Sequence, residues 1–92
     1  PTVDDKKLKL NLTLDYKEPN DGICSVNEAN IKIHFPIDLP QCKVRFIMKK
    51  GNYNVEGGTI RQVIHTESQT IVDVGAYVAS DSERKVKISP SK

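Results

Sequence analysis

The residues best suited to chemistry in this sequence are cations set beside glycines. Between Gln41 and Asn54 stand Lys43, Arg45, Lys49 and Lys50 with no acid among them, and Gly51, Tyr53, Val55, Gly57 and Gly58 lead on to Arg61. A glycine loop flanked by lysines can bring backbone amides and positive charge against a phosphate chain, because no Cβ holds the ligand away. The same stretch could serve a protein partner, with Met48, Tyr53 and Val55 as its apolar contacts. A plain solvated basic face is the third reading.

Other chemistries are less well supplied. Cys24 and Cys42 are the only cysteines, and neither sits in a CxxC pair. With His34 and His65 far apart, the short-spaced ligands of a structural zinc site are missing, so no metal and no cofactor is expected. In a secreted chain the two cysteines could form a disulfide and Asn11, in "NLT", would be a glycosylation acceptor; in an intracellular one they read as buried thiols. Ser25, Ser68, Ser80 and Ser82 have no GxSxG setting, and no G-K-[ST] follows the glycines. The expectation is a domain that is not an enzyme and has no small-molecule substrate.

The elements that must position these residues belong to a single small domain. The chain has 92 residues, 37% hydrophobic and 28% charged, with a formal charge of +2. That balance suits a globular chain and is far from the strongly basic one of a dedicated nucleic-acid binder, so any electrostatic footprint is local. No run approaches the roughly 18 apolar residues of a membrane helix. The N-terminal "PTVDDKK" has no apolar signal region, and the chain reads as an excised piece of a longer protein.

Along the chain, "LKLNLTLDY" alternates leucines with polar residues as a half-buried strand. "KEPNDG" is turn chemistry. "NIKIHFPI" alternates again and leaves His34 exposed, and the two prolines of "PIDLP" end it. "QCKVRFIMKKG" fits a helix or a strand. Thr59 and Gln62 have capping-box spacing and Ile60, Val63 and Ile64 fall at i, i+3 and i+4, which predicts a helix over residues 59–67. "TIVDV" predicts a strand, "GAYVASDSE" a loop, and "RKVKIS" a final strand.

In that order, residues 31–89 resemble a type I KH domain. "IKIHFPIDLPQCKVRFIMKKG" is similar to its first strand and helix, "GGTIRQVIHTESQTIVDV" to its second helix and strand, and "SDSERKVKIS" to its closing loop and third strand. The resemblance implies an α+β fold, with a three-stranded antiparallel sheet and two packed helices. Residues 1–30 would be an extension carrying one extra strand, laid over the sheet or added to its edge, and residues 90–92 a tail. The Gly-x-x-Gly loop of that family clamps four nucleotides. Here its place is taken by "MKKG", Met48 to Gly51, with methionine for the first glycine and "NYNVE" inserted before Gly57 and Gly58.

Such a degenerate loop implies weak or no RNA binding, with Lys43, Lys49, Lys50 and Arg61 as phosphate contacts and Arg45 beside them, and a main role as a protein-interaction platform. Gly75-Ala76 after the fourth expected element resembles the divergent first KH module of the Bicaudal-C family. That would imply a cytoplasmic regulator of messenger RNA translation and polyadenylation, partnered by a poly(A) polymerase or deadenylase. The rival expectation is an all-β structural or adhesion domain, a sandwich of the phage-baseplate or immunoglobulin-like kind. The conformation of residues 59–67 discriminates between the two.

Overall fold

A computed structural model describes residues 9–18 and 22–91. These fold into eight strands: β1 (Lys9–Asp15), β2 (Ile23–Cys24), β3 (Ala29–His34), β4 (Leu39–Lys49), β5 (Tyr53–Glu56), β6 (Thr59–His65), β7 (Gln69–Val78) and β8 (Glu83–Pro90). There is no helix among the described residues. One sheet runs β1-β4-β7-β6 and the other β2-β3-β8-β5. β1 lies parallel to β4, and every other pairing is antiparallel.

The α+β expectation is therefore overturned, and the decisive segment, residues 59–67, is mostly strand β6. The cause of the misreading is a β-bulge. Ile60 pairs with Val74 and Gln62 with Asp73, so two steps on β6 face one on β7 and Arg61 is the extra residue. In a regular strand i and i+3 point to opposite faces, but one inserted residue restores them to the same face. Ile60 and Val63 thus share the face of their buried neighbours Val74 and Val72, although both stay exposed on this edge strand, and the apolar spacing mimics a helix. The β-branched residues of this segment favour the strand.

The ambiguous stretch 41–51 resolves likewise. In β4, Cys42, Val44, Phe46 and Met48 are buried and Gln41, Lys43, Arg45 and Lys49 exposed, a period of two. The "NYNVE" insertion supplies strand β5, and "GAYV" continues β7 instead of forming a loop. The strand expected over residues 31–37 ends at His34. The N-terminal strand adds to a sheet edge: β1 lies beside β4, and its Leu14 is 1% exposed in the common core.

Both sheets contribute alternate residues to that core, including Leu14, Ile31, Ile33, Phe46, Val74 and Ile88. β3·β8 and β4·β7 form one long two-stranded ribbon folded over so that its halves lie in different sheets. The corners of the ribbon are bonded together where it crosses. Asp81 N donates to Phe35 O at 2.9 Å, and Ser80 N to Asp38 Oδ1 at 2.8 Å. Gly57, at φ +88°, and Gly58 make the step from β5 to β6. A Cβ on Gly57 would stand 1.9 Å from Lys85 O, so only glycine fits that step.

Candidate functional site

The folded chain separates most of the predicted site residues into three groups, with Gly57 and Gly58 apart at the step into β6 and Arg45 paired with Asp73. Met48 is 0% exposed and belongs to the core, while Tyr53 and Val55 pack against the core from β5. None of the three forms an open apolar contact surface.

The second group is the corner after β4, which is occupied by the protein itself. Gly51 N donates to Thr70 Oγ1 at 3.0 Å, and the Thr70 hydroxyl donates back to Gly51 O at 3.1 Å. Lys50 Nζ donates to Thr66 O at 2.6 Å. The Tyr53 hydroxyl donates to Lys49 O and lies 3.5 Å from Val26 O. Burial, and secondarily the neighbouring Tyr16, push the Tyr53 phenol above its ordinary range. A corner whose amide and lysine are committed to internal acceptors does not cradle phosphate as a free glycine loop does. Tyr53→Phe, which removes one hydrogen bond and leaves the ring, should lower stability by about 1 kcal/mol, read from a urea midpoint with unchanged slope.

The third group is a groove on the outer face of the β1-β4-β7-β6 sheet. Its register brings Asn11, Lys43, Gly75 and Thr59 into one row across four strands, with Lys9 opposite Gln41 in the row beyond. Gly75 at the centre lets the Arg61 stem cross close over the sheet, 3.3 Å from where a Cβ on that glycine would stand. The resulting hollow, about 710 Å³, is lined by all four strands and by Tyr77, which is 48% exposed. Lys9, Lys43 and Arg61 line it, and no acid among the described residues does.

Arg45, one row further on, is committed elsewhere. Its Nε and Nη2 donate to the two Asp73 carboxylate oxygens at 2.8 and 3.0 Å. Asp73 is 3% exposed, and the hydrogen bonds from Arg45 hold its carboxyl below the usual carboxylate range against the opposing effect of burial. Lys43 adds a smaller contribution in the same direction. Asp73, in the row beside Lys43 and Gly75, is therefore already paired, and the described lining of the groove carries positive charge alone.

Of the predicted basic contacts, Lys43 and Arg61 share the groove, Arg45 is spent on Asp73, and Lys49 and Lys50 stand at the far end of β4. Six residues of strand put Lys49 roughly 20 Å from Lys43. Lys9, Asn11, Gln41, Thr59 and Tyr77 were missed. The alternation of β1 marks Lys9 and Asn11 as outward, but only the parallel pairing with β4 sets them beside Lys43. Cys24 and Cys42 are free thiols, and burial raises both. Among the described residues no three His, Cys, Asp or Glu side chains converge, and no helix is long and apolar enough to cross a membrane.

Nothing matches this chain. Comparisons with protein-family models, with curated proteins and with solved structures all returned no match. The two helices that the KH resemblance implied are strands here.

Proposed function

We propose that this chain is a non-catalytic structural or adhesion-type β-sandwich module that holds a macromolecular partner on the outer face of the β1-β4-β7-β6 sheet. One observation carries the reading: Lys9, Lys43 and Arg61, from three different strands, converge on a groove that no acid among the described residues lines. Charges drawn together from distant parts of a chain with net charge +2 are a local feature, built by strand pairing and absent from the overall composition. An all-β sandwich gives such a face rigidity, because its positions are fixed by ladders and by the core beneath. The partner is acidic, and its recognition is salt-sensitive.

The experiment is a binding titration of the intact protein against three anionic polymers, a polyglutamate peptide, a single-stranded RNA and a sulfated oligosaccharide, over a range of ionic strength. At least one should bind at low salt. The Lys43→Glu/Arg61→Glu variant should lose at least tenfold in affinity and flatten the salt slope by about one for each cation removed. Lys50→Glu, at the occupied corner, should change little. Binding of none of the three at low ionic strength, or equal losses from the groove and corner variants, would remove the outer face from consideration.

A further inference from the structure

The groove contains more than positive charge, and the remainder narrows its ligand. We infer that it is a binding site for an anionic polysaccharide, a chain of sugar rings bearing carboxylate or sulfate groups. The inference rests on the outer-face reading and refines it. A bound protein needs apolar anchors seated in desolvated pockets, yet among the described lining residues Tyr77 is the one large apolar side chain, and it stands open to water. Single-stranded nucleic acid is held by successive bases on successive rings, and this groove offers one ring.

A sugar chain asks for what is present. The apolar C–H face of a pyranose lies flat on one aromatic ring, whose amphipathic edge tolerates water. Vicinal hydroxyls, each a donor and an acceptor, are matched by groups that both donate and accept, which the Asn11 and Gln41 amides do. Carboxylate or sulfate groups along the chain are met by Lys9, Lys43 and the Arg61 fork, which binds planar or tetrahedral oxyanions through two parallel N–H groups. The row from β1 to β6 spans about 14 Å, enough for a few rings in line.

The test uses the intact protein with a heparin-derived oligosaccharide, a polyglutamate peptide of matched charge and the desulfated form of the same oligosaccharide, by calorimetry or by perturbation of backbone amide shifts. The sulfated chain should bind at least tenfold more tightly than polyglutamate and should shift amides of β1, β4 and β7. Tyr77→Ala should cost about tenfold for the sugar and nothing for polyglutamate, while Tyr77→Phe, which keeps the ring, should retain sugar binding. The Tyr77 side chain is exposed, so thermal unfolding should be unchanged and loss of fold is separable from loss of site. Polyglutamate bound as tightly as the sulfated chain, with no effect of Tyr77→Ala, would overturn the polysaccharide assignment and leave the acidic-partner reading standing. Absence of binding to every anionic polymer would overturn both. Tight binding of the desulfated chain alone would also overturn the assignment, since it would show a site for neutral sugar.

Discussion

Replacing Phe46 by alanine is expected to cost about 3–5 kcal/mol of folding stability. The ring sits in the middle of β4 and is 0% exposed. Its partners in the sheet are Leu14 on one side and Val72 on the other, both buried. The loss combines the transfer of a phenyl ring out of the interior with the cavity it leaves, which strands on both sides hold open because their ladders resist collapse. A domain of this size has a total stability of roughly 5–15 kcal/mol, so the variant should lose a large fraction of it and unfold at a clearly lower temperature. Urea unfolding should show the midpoint falling with little change in slope. A loss below about 1 kcal/mol would mean that Phe46 does not lie between the sheets.

Arg45→Met should destabilise by about 3 kcal/mol at neutral pH, the lower end of the cost of orphaning a buried charge. The low end applies because the Arg45 side chain is 44% exposed while that of Asp73 is 4% exposed, so water reaches the site once the guanidinium is gone. The pH dependence supplies the sign. In the parent, Asp73 titrates below the usual carboxylate value. Its contribution is therefore fully present above the unfolded carboxyl pKa of about 3.9 and is lost as pH falls through the folded value. In Arg45→Met the buried carboxylate has no partner and its pKa moves upward, so acidification relieves the penalty. The gap between parent and variant should narrow as pH is lowered, and Arg45→Met/Asp73→Leu should recover much of the loss. A gap that widens in acid would show that the pair is not the source of the effect.

How much of this was legible in the sequence depended on whether strands obeyed a strict alternation. β1, β3 and β8 do, and Leu10, Leu12 and Leu14, Ile31 and Ile33, and Val86 and Ile88 announce them with nothing beyond period two. β6 does not, because the residue inserted at Arg61 converts a strand's spacing into a helix's, and the Thr59 and Gln62 that resemble a cap pair instead with Gly75 and Asp73. The KH resemblance followed from that one segment together with the order of apolar runs and glycines, an order that a sandwich shares. At the site, Lys43 and Arg61 stood out as cations near glycines. Tyr77 and Lys9 did not, since they join the groove through pairings between strands far apart in the chain, which no local pattern records. Arg45 illustrates the converse: its charge was visible, but its commitment to Asp73, 28 residues away, was not.

The folded-over ribbon constrains how the molecule is made. Ala29 is bonded in register with Ile88, and His34 with Glu83, so the second sheet has no centre until residues 83–88 exist. During synthesis the early segments leave the ribosome tunnel long before their partners do. They wait as unpaired β-formers, exposed to mispairing and to chaperones, and the search for such distant partners makes the final closure slow. Assembly of this domain is thus a late, near-simultaneous event governed by the arrival of its last strand.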